Sequence, residues 1–363
     1  MTSSAREAKR VLHCYAASDA SKAAQWISEL QLHFGSNVAH VLAEAGQEDG
    51  VLSDFSGRPS AGKLIRWARA LANFDCVLTY GWGATNIALA HSVFGESFDL
   101  PPLIHHEIGY SVDSAAEFTF RRNWFRRIAL RSATGVIVET QSLSARAARN
   151  WGLATDRLHT ILPTFEVAAY DVKAKPDQVP GLIKREEELW LGADVSAALP
   201  ADLAVLVEGF AQMPPDWQLV LIGNVPARDA LQEMAERLEL SHRIHVPGAV
   251  ADAPGGYALL DAYVAPPCGE AFPTGTAKAM AAGKAVCAAA DDESARLLAR
   301  ENAAFLSASF KPAKLGEAIV KIADDPLGRA KAGQANRLHA ESLFGVESKA
   351  AALSAVYGGI FAS

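Results

Sequence analysis

Short apolar runs alternate along this chain with stretches in which apolar residues recur every three or four positions. Runs at 11–16, 38–42, 76–80, 102–105 and 136–139 have the length of buried strands. Between them, 20–32, 64–72, 84–93 and 115–131 carry the apolar stripe of surface helices. The same rhythm restarts at 187–191 and continues through 218–222, 244–246, 262–265 and 286–288. Strands that alternate with helices predict an α/β fold with parallel, doubly wound sheets, whose ligands sit beyond the carboxyl ends of the strands. The polar, proline-bearing stretch DVKAKPDQVPG, 171–181, reads as a linker. Two Rossmann-like domains facing one cleft follow, over 1–172 and 182–345, with a last segment, 346–363, that is helical over 347–361.

The stretch 261–290, DAYVAPPCGEAFPTGTAKAMAAGKAVCAAA, organises the second half. A strand ended by Pro266 and Pro267 leads into a small-residue loop, Cys268 to Phe272. Pro273 opens a helix over 274–282, where Thr274 or Thr276 can satisfy free backbone donors. Gly283 is a natural stop. A helix start placed after a strand presents unpaired N–H groups and partial positive charge, a ready site for phosphate.

Within that stretch, E-A-F-P-x(4)-K-A-M-A-A-G resembles the E-G-F-P-x(4)-E-A-M-A-A-G signature of GT-B-fold retaining glycosyltransferases of the sucrose-synthase-like group, family four. The resemblance extends to FDCVLTYGWGATNIALAH, PPLIHHEIGYSVD and FRRNWFRRIALRSATGVIVETQSL in the first half. WGLATDRLHTILPTFEVAAY and WQLVLIGNVPARDALQEMAERLELSHRIHVPG continue it. It implies a nucleotide-sugar-dependent hexosyltransferase whose last helix crosses back to the acceptor-side domain. Glu270 matches the Glu that contacts the donor sugar. Phe272, Pro273 and Thr274 fall where helix-start amides meet donor phosphates, and Gly223 and Asn224 fall near the base or phosphates. His106 matches a position near the sugar's reactive carbon.

The departures from that pattern cluster at the chemistry. Lys278 stands where the signature has its second, ribose-binding Glu. The first strand–helix turn, normally glycine-rich, is Ala17-Ser18-Asp19-Ala20-Ser21. The loop 192–203, GADVSAALPADL, carries two aspartates where the family has an Arg and a Lys for the diphosphate. Its paired glycines fall on Asp292 and Glu293.

For several positions two readings stand side by side. Glu270 is a donor-orienting carboxylate or a solvated loop residue. Lys278 aims at phosphate or runs along the surface with its charge in water; as a donor only, it cannot accept from ribose hydroxyls. His106 and its neighbour His105 end a strand, as structural or functional imidazoles, and Glu107 holds an imidazole or an acceptor hydroxyl. Gly81 and Trp82 form a sugar platform or plain packing. Gly57-x(4)-Gly62-Lys63-Leu64 imitates a phosphate-binding loop but has Leu64 in place of the magnesium-binding hydroxyl, with no convincing strand before it. FTFRRNWFRRIALR, 118–131, is a solvated helix face or a membrane-surface helix using Arg121, Arg122, Arg126 and Arg127.

Composition narrows the function classes. The net charge of −7 over 363 residues argues against a general nucleic-acid surface. Four well-separated cysteines make no metal-ligand spacing and read as reduced thiols in the cytoplasm. The start, MTSSAREAKR, lacks the apolar core of a signal peptide. No metal or cofactor is expected beyond the nucleotide-sugar donor. Two functions follow: a retaining glycosyltransferase acting in polysaccharide or glycolipid assembly, peripheral to the inner membrane face if the arginine helix binds there, or a catalytically degenerate relative kept as a binding or scaffolding subunit of an active partner.

Overall fold

A computed structural model of the chain describes residues 8–47, 50–52, 54–108, 119–163, 165–225 and 228–361. The polar start and the first positions of the expected 115–131 helix, Phe118 included, lie outside the described residues. The chain forms two compact units: one runs to Leu162 and takes in Lys349 onward, the other spans Pro163–Ser348.

In unit 1 the strands are β1 (Lys9–Tyr15), β2 (Val38–Glu44), β3 (Cys76–Tyr80), β4 (Leu103–His106), β5 (Gly135–Val138) and β6 (Leu158–Thr160). Helices α1 (Ala20–Phe34), α2 (Ala61–Leu71), α3 (Thr85–Phe98), α4 (Phe120–Ala129) and α5 (Gln141–Arg146) connect them. All the strand pairs are parallel, in the order β2-β1-β3-β4-β5-β6. Side chains that alternate along each strand feed two cores. Leu12, Val77, Leu103 and Val136 pack on one face with Trp67 and Ile87. On the other face Val11, Leu78, Ile104 and Ile137 meet Trp26, Leu30, Leu353 and Phe361. Strand β6 has no apolar run, so nothing in its sequence announces it.

Unit 2 contains β7 (Leu189–Asp194), α6 (Pro200–Phe210), β8 (Trp217–Ile222), α7 (Arg228–Arg237), β9 (Ile244–Gly248), α8 (Ala253–Ala258) and β10 (Ala262–Val264). It continues through α9 (Thr274–Ala281), β11 (Ala285–Cys287), α10 (Glu293–Leu297), α11 (Pro312–Asp324) and α12 (Pro326–Phe344). The order of this parallel sheet is β11-β10-β7-β8-β9. Leu191, Leu219, Leu221 and Val264 pack against Leu206, Phe210, Ile319 and Ile322. The last helix, α13 (Val346–Phe361), enters unit 1 from Lys349 onward. Lys349 there pairs with Glu29 at 2.9 Å and donates to the Leu162 carbonyl at 3.0 Å.

The boundary falls about ten residues before the expected linker, because 163–181 is bonded into unit 2. Phe165 meets Phe344 edge-on, and Tyr170 meets Tyr257. Val179 is buried, and the Gln178 amide donates to Asp252 at 2.5 Å. Most of 171–181 is exposed, as its polar composition requires.

Buried side chains in unit 1 correct several sequence expectations. Arg126 is completely buried and so unavailable to a lipid surface. Its guanidinium donates to both Glu107 oxygens, at 2.9 and 3.0 Å, and lies 4.9 Å from the Trp82 ring and 5.1 Å from Trp151. Glu107 is therefore a structural anion with both oxygens engaged, not a ligand for an acceptor hydroxyl; His105 lies 3.3 Å from the same carboxylate. Burial alone would raise the Glu107 carboxyl, but the Arg126 guanidinium and the His105 contact hold it well below the usual carboxylate range. Trp82 is packed, not an open platform: Arg122 and Arg126 lie over its ring and Phe125 lies 5.5 Å away. Gly81 has φ +61, and a Cβ there would press on the Asp19 carboxylate. That turn seats the loop after β1. His106 is wholly buried, hydrogen-bonded through Nε2 to the Tyr357 hydroxyl and edge-on to Trp26. Burial lowers its pKa well below the ordinary value, with His105 and His13 adding to the effect. It is a neutral core imidazole.

Breaking this pair from one side leaves a buried charge alone. Arg126→Met should cost about 3–5 kcal/mol, and the double variant Glu107→Gln/Arg126→Met should recover much of that loss. Urea unfolding of the three proteins at pH 7 measures both. Because the folded-state pKa of Glu107 lies below the unfolded value, its contribution is complete above about pH 4.3. It is lost only as the pH falls through the depressed folded value. The parent-to-double difference should consequently be flat from pH 6 to 8.

Candidate functional site

In unit 2 the sheet reverses its winding between β7 and β10. Strands β8 and β9 follow β7 on one side, and β10 and β11 lie on the other. At such a switch the connecting loops diverge and leave a crevice beyond the carboxyl ends of the strands. A cavity of about 320 Å³ occupies that place. Asp194 and Ser196 line it after β7, Ala265 to Cys268 after β10, and Phe272 to Thr276 with Lys278 from the start of α9.

Asp194 is the hub of the wall. Its backbone N–H donates to the Tyr263 hydroxyl at 3.1 Å. One carboxylate oxygen accepts from the Ser196 N–H at 3.1 Å, and the other accepts from the Tyr257 hydroxyl at 3.3 Å. Burial, then the neighbouring Tyr263 and Asp194, push the Tyr257 hydroxyl well above its ordinary pKa, so it remains a donor. Lys278 Nζ stands 3.9 Å from Asp194 Oδ2 and 5.9 Å from the Tyr257 ring centre. The ammonium thus has its counter-charge inside the cavity.

Close approach explains two glycines. A Cβ on Gly275, in the first turn of α9, would overlap the Tyr263 hydroxyl and lie 2.9 Å from Asp194 Cβ. Gly223, with φ +105, ends the β8 turn where a Cβ would overlap the Ser196 hydroxyl. Helix α9 closes at Gly283, φ +68, with the Lys284 N–H returning to the Ala279 carbonyl. On the far wall Asp292 caps α10 through the Ser294 N–H and also accepts from the Cys268 N–H at 3.3 Å. Asp292 therefore pins the loop before Glu270.

Of the residues singled out in the sequence, Phe272, Pro273, Thr274 and Lys278 come together on this one cavity. Gly223 borders it through Ser196. Glu270 is half-buried on the turn between lining residues Cys268 and Ala271, and Asn224 is exposed; neither lines the cavity. His106, Glu107, Gly81 and Trp82 belong to unit 1. The sequence marked Asp194 only as one of two aspartates in 192–203 and did not single out Tyr257, Tyr263 or Gly275. The available signal was a carboxylate ending an apolar strand of a parallel sheet. The described residues contain no group of three or more side chains suited to a metal ion.

Residues 196–325 match the model of the family described as glycosyl transferases group 1. HepE of Anabaena, solved with UDP, superposes with TM-score 0.74 at 17% identity, over 96% of this chain and all of its own. A glycosyltransferase from Rickettsia africae gives 0.75 at 14% identity, over 98% and 99%. Sucrose-phosphate synthase from Thermosynechococcus elongatus gives 0.70 at 17%, over the same shares. The fold is GT-B. No curated protein matches the sequence. In this GT-B chain the family match covers most of the cavity lining but begins just after Asp194.

The tight seat of Gly275 gives a direct test. Gly275→Ala should destabilise by about 1–3 kcal/mol through overpacking. Gly358→Ala, on α13 with open space around it, should be neutral or stabilise by up to about 1 kcal/mol. Thermal melting of the two variants compares them.

Proposed function

We propose that the chain is a glycosyltransferase that takes a nucleotide-diphosphate sugar and transfers its sugar, with retention, to a saccharide or glycolipid acceptor. The observation that carries this reading is the cavity at the β7–β10 switch, formed by α9's first turn and Lys278 within the family-matched segment. Departure of the nucleotide leaves negative charge on phosphate. Preorganised amides of a helix start and one ammonium are suited to stabilise it. Glu270, on the adjoining turn, is proposed to orient the donor sugar. HepE has been solved with UDP-glucose, which makes uridine compounds the first probes here.

A second reading keeps the fold without the chemistry. Asp194 places an anion where a diphosphate would approach, and the stretch from Gly192 to Leu203, from the end of β7 into α6, has no cation. In that case the chain serves as a scaffolding subunit for an active partner.

Calorimetric titration with a panel of nucleoside diphosphates and their sugars separates the two. Under the enzyme reading, Lys278→Ala weakens diphosphate binding by about tenfold or more, since a charge-assisted hydrogen bond contributes about 1.5–3 kcal/mol. Lys278→Glu should bind still more weakly than the alanine variant, because its carboxylate would face Asp194. A parent with no affinity for any nucleotide removes the enzyme reading and favours the scaffold.

Membrane contact, with buried Arg126 and with Arg122, which lies over the Trp82 ring, removed from the set, is proposed through Phe120, Trp124, Arg121 and Arg127. Phe120 is 84% and Trp124 57% exposed, one turn apart on α4 beside two exposed cations. Phe120→Ser/Trp124→Ser should abolish sedimentation with anionic vesicles at low salt. Unchanged sedimentation removes the proposal.

A further inference from the structure

Inside the cavity two opposite charges are held near each other but apart. Asp194 Oδ2 and Lys278 Nζ are 3.9 Å apart, beyond hydrogen-bond reach. Their side chains retain 18% and 26% exposure, both on the cavity wall. Asp194 is fixed from behind by the Ser196 N–H and the Tyr257 hydroxyl, which leaves acceptor capacity on both oxygens. The other polar side chains lining the space, Ser196, Thr274, Thr276 and Ser294 among them, are neutral hydroxyls apart from the Cys268 thiol.

A carboxylate only accepts and an ammonium only donates. A ligand that satisfies both carries a donor for the carboxylate and an acceptor for the ammonium a few ångströms apart, as the hydroxyls and anionic oxygens of a nucleotide are. The carboxylate repels phosphate from the β7 side, so the anionic part must lie toward Lys278 and the first turn of α9. The hydroxyls then face β7.

We propose that Asp194 reads the ribose hydroxyls of the bound nucleotide while Lys278 and the start of α9 take its phosphates, so that Asp194 selects ribonucleotides over deoxyribonucleotides. This rests on the nucleotide-sugar reading above. It divides the pair by function: Lys278 sets affinity for phosphate, and Asp194 sets preference among sugars. Tyr257 acts as a positioning residue, aiming the carboxylate through its hydroxyl.

The test is calorimetric titration of the full chain with UDP, ADP and GDP, their 2′-deoxy forms, and inorganic pyrophosphate. The parent should bind the ribo form of its preferred base about tenfold or more tightly than the deoxy form, the worth of one hydrogen bond to a charged group. Asp194→Asn should bring the two forms within about threefold of each other while pyrophosphate binds as well or better, the nearby anion being gone. Lys278→Gln should lose pyrophosphate affinity yet keep the ribo preference in whatever nucleotide binding remains. Should the asparagine variant not fold, Tyr257→Phe keeps the charge and should still lower the ribo-to-deoxy ratio. A parent indifferent to the 2′-hydroxyl, or a ratio unchanged in the Asp194 and Tyr257 variants, overturns the proposal and leaves nucleotide binding standing. Absence of all nucleotide binding by the parent overturns the functional reading, and the inference falls with it.

Discussion

A carboxylate at the end of a parallel strand is the constraint on which unit 2's site is built. Asp194 terminates β7 where the sheet changes direction, in a half-buried place where an unsatisfied anion would cost several kcal/mol. The Ser196 N–H, the Tyr257 hydroxyl and the Lys278 ammonium answer that need from three different segments. Tyr263 fixes the strand end from below, and its hydroxyl leaves room on α9 for nothing larger than Gly275. The cavity is the space these residues leave between them.

Unit 1 shows the same physics turned inward. Its conspicuous polar motif, His105-His106-Glu107, sits at a strand end, yet its side chains are wholly buried. Glu107 neutralises Arg126, whose guanidinium lies by two tryptophans, and His106 meets Tyr357 from the returning helix. Burying that many polar groups is tolerable because most of their polar atoms pair with one another, His106 Nδ1 being the exception. The network fastens α4 and α13 to the sheet end.

The two units therefore use strand ends differently. In unit 1, beside the switch between β1 and β3, the turn at Gly81 seats Asp19 and Gly83 packs against Ala16. In unit 2 the switch between β7 and β10 remains open, because Gly275 and the proline-bearing loop after β10 keep side chains out of it. Asp292, reaching across to Cys268, holds that loop in place.

By itself the sequence determined the two parallel sheets, since runs such as Cys76–Tyr80 and Trp217–Ile222 are apolar enough to be buried on both faces. It also determined the loop–helix unit at Pro273 to Gly283, where proline and glycine mark the ends of α9 by their backbone preferences alone. Those are local properties, written in neighbouring residues. Tertiary structure decided which charges face solvent and which face each other. Arg126 and Arg127 are adjacent in one helix, yet one is buried against Glu107 and the other is exposed. Asp194 and Lys278 are far apart in sequence and meet only because β7 and β10 are neighbours in the sheet. Pairing of charges depends on distance in space, and strand order, which local periodicity does not encode, sets that distance.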